Sequence, residues 1–317
     1  MSINCDKPHL WKRDIEASVD LFNRWFMRFA PKAYRDARVQ ATTGVKHALQ
    51  ITKGLLTITP KVLRQHPEIL PALRAATCPP LARDRLIGLS GISKNLVKCM
   101  EQGRIPPRMS AQDIEDDLRS TARIISRMLD SDIFPWLEHR RPPRGEQQYR
   151  ASTVVADRLC GAVSDPIIRN AQERRQLVNI EKHLKKRGYK RRQPPPGRTV
   201  EEMLPGTFGV RAIAHGKAGT RMVSIPVDVA IQPKSRARGA LPILIEAKSA
   251  GDFTNVNKRR KEEATKLRQL RANYGPDVQL TLFLCGYFDS GYLGYEAAEG
   301  IDWVWEHRIT DMDALGI

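Results

Sequence analysis

The spacing of apolar positions changes once along the chain. Through roughly the first 140 residues it follows the three-to-four step of amphipathic helices. Phe22, Trp25, Phe26 and Phe29 fall at i, i+3, i+4 and i+7 and predict one buried helical stripe. Thr59 before Pro60 predicts a capped helix start, and Ser110 with Asp113 has capping-box spacing ahead of a long amphipathic segment. Proline pairs at 79–80 and 106–107 punctuate these helices. The segment HRRPPRGEQQYR, residues 139–150, lacks periodicity and is the best linker candidate, which divides the chain into a helical domain, 1–145, and a second domain, 146–317.

Within the helical half, residues 81–106 have the spacing of a helix-turn-helix. Leu86 and Leu89 are its apolar positions, Gly91 and Ile92 make the turn, Ser93 caps the second helix and Val97 faces inward. Lys94, Asn95 and Lys98 would then project toward a major groove, although a plain helical hairpin has the same spacing.

Further on the period shortens. Asp165 and Pro166 are expected to open a helix that buries Ile167, Ile168, Ala171, Leu177, Ile180 and Leu184 and ends at Gly188. Strands are predicted at 206–215, 221–233, 242–249 and 278–288, with a basic helix between the last two. The order helix, strand, strand, strand, helix, strand predicts an α/β (α+β) core with a mixed sheet flanked by helices.

Charge narrows the function. The 317 residues carry 53 Lys and Arg against 35 Asp and Glu, a net +18. Lys182 to Arg198 holds eight bases and no acid, residues 254–273 seven bases against two acids, while 286–317 is acidic. Clustered positive charge of this size suits a polyphosphate partner. No apolar run is long enough for a membrane span, the first residues lack a signal-peptide pattern, and Cys5, Cys78, Cys99, Cys160 and Cys285 form no Cys-x-x-Cys pair. A cytoplasmic protein with free thiols is expected. The seven His show no metal-ligand spacing, with His215 and His307 isolated, and Cys285 in an apolar strand reads as a small core residue.

The chemistry gathers in the strands. Glu246 and Lys248 stand at i and i+2 and so share one face, with Asp228 eighteen positions earlier in another apolar strand. EAK is the only acid-x-Lys triplet in the chain. If the two strands pair, two carboxylates and an ammonium converge, and hard oxygen donors of this kind select Mg2+. Metal-assisted phosphodiester hydrolysis is the chemistry they predict, with Asp228 and Glu246 as ligands and Lys248 serving the water or the developing charge. Glu173 and Glu181, on the preceding helix, are candidate accessory acids. Asn255, Asn257, Lys258 and Arg259 open the basic helix and are candidate DNA contacts.

IPVDVAIQ followed by LIEAKS resembles the paired motif of the PD-(D/E)XK nucleases. FNRWFMRFAPKAYR, TCPPLARDRLIGL, KSAGDFTNVNKRRKEEA and GYEAAEGIDWVWEHR, which span residues 22–308, resemble the XamI family of type II restriction endonucleases. The resemblance implies a Mg2+-dependent homodimer that cuts both strands of double-stranded DNA at a short palindrome. It suggests GTCGAC as the site and implies a cognate DNA methyltransferase that is not a stable subunit. A nuclease of the same fold with a repair or mobile-element role, and a non-catalytic DNA-binding regulator, are the alternatives.

Overall fold

The structure, a computed structural model, describes residues 2–192, 199–236, 240–254 and 256–317, with backbone alone for 256–260. It forms two compact units. One is Ala30–Ile168; the other joins Met1–Phe29 to Arg169–Ile317.

The helical segments are α1 (Pro8–Ile51), α2 (Pro60–Gln65), α3 (Leu70–Ala75), α4 (Arg83–Ser90), α5 (Lys94–Met100), α6 (Ala111–Arg127) and α7 (Gly145–Lys186). The expected caps form: Thr59 accepts the Val62 N–H and Ser110 the Asp113 N–H. In the predicted helix-turn-helix, Gly91 adopts φ +68 and Ser93 caps α5 through the Leu96 N–H. Leu86 and Val97 are fully buried, but Leu89 is half exposed. The pair is tied to α6, where Asp117 accepts the Ser93 N–H at 2.9 Å and Ser120 donates to the Ser90 carbonyl at 2.7 Å.

Two sequence expectations need correction. The helix expected to open at Asp165 is already running from Gly145, with Pro166 inside it. Ala151, Val155, Ala156 and Cys160 are buried at helical spacing in the first unit's core, so the helix is established a turn before Pro166, whose ring removes one backbone bond. Ile167 is correspondingly 41% exposed. The Phe22 stripe is only partly core, since Phe22 is buried but Phe26 is 40% exposed.

The second unit contains β1 (Lys190–Arg191), β2 (Thr207–Ala218), β3 (Arg221–Gln232), β4 (Ile243–Ala250), α8 (Val256–Tyr274), β5 (Leu280–Gly286), α9 (Ser290–Ala298) and β6 (Asp302–Trp305). They build a six-stranded mixed sheet in chain order, antiparallel at β2–β3 and β3–β4 and parallel elsewhere. Leu267 and Leu270 of α8 cover one face; Leu177, Ile180 and Leu184 of α7 cover the other. The chain start packs here too: Asp302 accepts the Asn4 and Cys5 N–H groups, and Asp14 pairs with Arg308 at 2.8 Å. Glu306 of the acidic tail pairs with Arg175 at 2.8 Å and Asp313 with Arg187, so the tail supplies internal counter-ions. No helix among the described residues is long and apolar enough to cross a membrane.

The β2–β3 hairpin changes faces midway. Phe208, Val210, Val229 and Ile231 pack on the α7 side, whereas Ala212, Ala214, Ile225 and Val227 pack on the α8 side. A regular strand keeps residues two apart on one face. The switch falls at Arg211, which adopts φ +54, and across from it, in continued register, at Asp228.

Beside the end of β4, Gly286 adopts φ +103, and a Cβ there would lie 2.1 Å from the Ala250 carbonyl oxygen. Gly286→Ala is expected to cost about 3 kcal/mol or more, read as a fall in Tm. An unchanged Tm would show that the β4–β5 edge yields freely.

Candidate active site

Pairing between β3 and β4 is short. Val229, Ala230 and Ile231 face Ile245, Leu244 and Ile243, and the ladder stops one step before Asp228 and Glu246. Where it stops, the Asp228 carboxylate takes the place of a backbone acceptor: its Oδ2 receives the Ala247 N–H at 2.8 Å. Asp228 is thereby fixed beside the strand that carries Glu246 and Lys248.

Those two residues share the α8 side of β4 with Leu244, while Ala247 joins Ile243 and Ile245 on the α7 side. From α8 come two further partners. Charges then alternate in a row: Glu263 Oε1 lies 3.0 Å from Lys248 Nζ, Lys248 Nζ 3.2 Å from Glu246 Oε1, and Glu246 Oε2 2.7 Å from Lys266 Nζ. Lys266 also donates to the Pro226 carbonyl at 2.8 Å. Glu263 is buried to 1% side-chain exposure, Glu246 to 12%, and both lysines to 19%.

From α7, Glu173 and Gln176 lie on the stripe that continues to Leu177 and Ile180. Gln176 donates to the Lys248 and Phe283 carbonyls, each at 3.2 Å, and ties α7 to the middle of the sheet. Glu173 accepts from Arg211 at 2.9 Å. Arg169, Glu173, Glu262, Asp228, Glu246 and Lys248 are among the residues that line a cavity of about 280 Å³.

The electrostatics of the cavity follow from this crowding. Burial first, then the neighbouring Glu246 charge, raise Asp228 to about 6; Glu173 adds to the rise, and the Ala247 hydrogen bond opposes it. Burial disfavours the charged form of Lys248, but Glu246 and Glu263 outweigh it and raise its pKa, so the ammonium persists. Burial raises Glu263, with Lys248 opposing. A carboxylate held at raised proton affinity among other oxygen donors fits a hard divalent cation, and Asp228 and Glu246 are the residues that could hold one.

The other candidates scatter. Glu181 does not line the cavity; it pairs with Lys185 at 2.8 Å and Arg191 at 2.9 Å, and the Lys185 hydrogen bond leads the causes that lower its pKa. Lys94, Asn95 and Lys98 are exposed on α5. Asn255 and the side chains of Asn257, Lys258 and Arg259 lie outside the described residues.

Residues 53–305 match the XamI restriction endonuclease family, a span that includes every residue of the cavity. The chain belongs to the XamI restriction endonuclease family. It is 53% identical over 315 residues to the type II restriction enzyme SalI of Streptomyces albus G, covering 99% of each chain. The protein is therefore a type II restriction endonuclease, a site-specific deoxyribonuclease and hydrolase. The solved structure of protein VC1899 from Vibrio cholerae aligns with 90% of this chain and 55% of its own, at 10% identity and a TM-score of 0.27.

For a XamI family enzyme read from sequence, Glu263, Lys266, Gln176 and Arg211 are the residues missed. Glu263 had a visible signal: it stands four and seven positions before Leu267 and Leu270 on the buried stripe of α8, where a carboxylate needs a partner.

Asp228 also sets a pH dependence. Its folded pKa of about 6 exceeds an unfolded value near 3.8, so the metal-free fold loses stability as pH rises from about 4 through 6 and stays lower above that. In EDTA at pH 8, Asp228→Asn, which keeps an acceptor for the Ala247 N–H, is expected to gain about 2 to 3 kcal/mol. Denaturant unfolding at pH 8 and pH 4 checks this: the gain should vanish at the lower pH, and no gain at pH 8 would refute the assignment.

Proposed function

We propose that the enzyme makes Mg2+-dependent double-strand breaks in DNA at a short palindrome, using a PD-(D/E)XK site in which Asp228 and Glu246 hold the metal. The observation that carries this reading is the shared cavity: both acids open into it, and Lys248 stands beside Glu246 with its ammonium preserved by two carboxylates. When bound, Mg2+ supplies positive charge for the phosphate oxygens and for activating water.

The chain's own groups have separate duties. Lys248 holds the attacking water or offsets charge developing on the phosphate, and its three donors suit either task. Glu263 aims Lys248 from α8, and Glu173 is the accessory acid, steadied by Arg211. Gln176 fixes the Lys248 backbone, so the strand cannot slide when DNA enters. Lys94, Asn95 and Lys98 in the helical unit are assigned to DNA contact, as are Asn255, Asn257, Lys258 and Arg259 in the second unit.

Two such sites acting on antiparallel strands call for a two-fold homodimer, and the palindrome mirrors that symmetry. The sequence resemblance suggests GTCGAC as the target, with a cognate methyltransferase protecting the host's own copies.

Digestion of a plasmid of known sequence tests the reading. Discrete fragments are expected with Mg2+ and none with EDTA, with ends that map to GTCGAC; a smear, or cutting in EDTA, would exclude it. Asp228→Ala and Lys248→Ala should abolish cutting yet retain DNA binding in a gel-shift assay. Glu263→Gln should lower the single-turnover rate by roughly tenfold or more and move the alkaline limb of the pH profile downward, because Lys248 loses a counter-charge. An unmoved profile would deny Glu263 its positioning role.

A further inference from the structure

The helical unit carries a second constellation of donors, unrelated to the cavity. His47 stands near the end of α1, His66 caps the end of α2 and Glu68 lies in the single helical turn Pro67–Ile69 that follows. One carboxylate oxygen, Glu68 Oε1, lies 3.2 Å from His47 Nε2 and 3.3 Å from His66 Nδ1. All three ligand atoms fall within 4.8 Å of one another. The rings are 5.9 Å apart at 76°, so they do not stack; each directs a nitrogen at the shared oxygen.

The backbone beneath packs on the core of the helical unit. Leu63, Pro67, Ile69 and Leu70 are buried around His66 and Glu68, as are Val45, Ala48 and Leu49 around His47. Side chains on such a base keep their spacing without help from a bound ion. The two nitrogen–oxygen separations are close to the edge of a zinc tetrahedron, roughly 3.3 Å when ligands sit about 2.0 to 2.1 Å from the metal. Two imidazoles and a carboxylate make a borderline-soft set, which favours Zn2+ and its neighbours over Mg2+. Side-chain exposures of 43%, 35% and 44% leave the remaining position open to water.

We propose that His47, His66 and Glu68 form a Zn2+ site that fastens α1 to the turn after α2. The site is independent of hydrolysis: it uses no cavity residue and selects a different class of cation. Bound metal adds coordinate bonds between segments that otherwise meet through apolar packing and the His47–Glu68 contact, so it acts as a brace on the helical unit.

The full-length protein, stripped with EDTA and dialysed, would be titrated with Zn2+ by calorimetry in excess Mg2+, which keeps hard-oxygen sites occupied. Wild type should take up one Zn2+ per chain more than the His47→Gln, His66→Gln double variant. Either single variant should bind that ion roughly tenfold more weakly or worse, and Zn2+ should raise the wild-type Tm alone. Equal stoichiometry and affinity in wild type and variants would overturn the proposal. X-ray absorption of the zinc-loaded wild type gives a second reading that does not depend on the variants' folding: imidazole scattering from two histidines is expected, and an oxygen-only shell would overturn the assignment. Because Mg2+-dependent cleavage is scored separately, either site can fail without the other.

Discussion

The bond from the Ala247 N–H to the Asp228 carboxylate governs the active half of the molecule. It forms where the β3–β4 ladder has run out, so a side chain completes what the backbone no longer can. The same contact locates the acid relative to Glu246 and Lys248, which belong to a strand separated from Asp228 by a connection of ten residues. Burial and the nearby carboxylates act against the ionised aspartate, while the donated proton and the Lys248 charge act in its favour.

Around it the enzyme arranges charge in pairs. Each lysine at the site answers a carboxylate, and α8 supplies both Glu263 and Lys266, so the helix controls where the ammonium of Lys248 points. Excess negative charge is concentrated on the cavity side, where Asp228, Glu173 and Glu262 accompany Glu246. An anionic polymer would be repelled by such a mouth unless cations intervene. The requirement for positive charge, from bound metal and from the surrounding basic surface, is thus built into the carboxylates themselves.

Much of this was legible in the sequence, because the strands that carry the site alternate or run apolar and the acids interrupt them. The order of core elements, the capped helices and the shared face of Glu246 and Lys248 all follow from local periodicity. Long-range facts did not. Nothing local shows that residues before Ala30 pack on the sheet through Asp302 and Arg308, since that depends on partners nearly three hundred positions away. Pro166 reads as a start because proline is common there, whereas the helix already runs from Gly145 through a segment whose burial of Ala151, Val155, Ala156 and Cys160 only the fold reveals. His47 and His66 are nineteen positions apart and share no motif, so their meeting needs the fold. Glu173 and Glu181 look equivalent on one helix, yet two turns separate the cavity from the Lys185 and Arg191 charges.

The face change in the β2–β3 hairpin has a consequence for inheritance. Because one end of the hairpin fills the core under α7 and the other the core under α8, an inserted or deleted residue in either strand would empty both at once. Asp228 sits at the crossing, so its address is guarded by two hydrophobic interiors rather than by selection on chemistry alone.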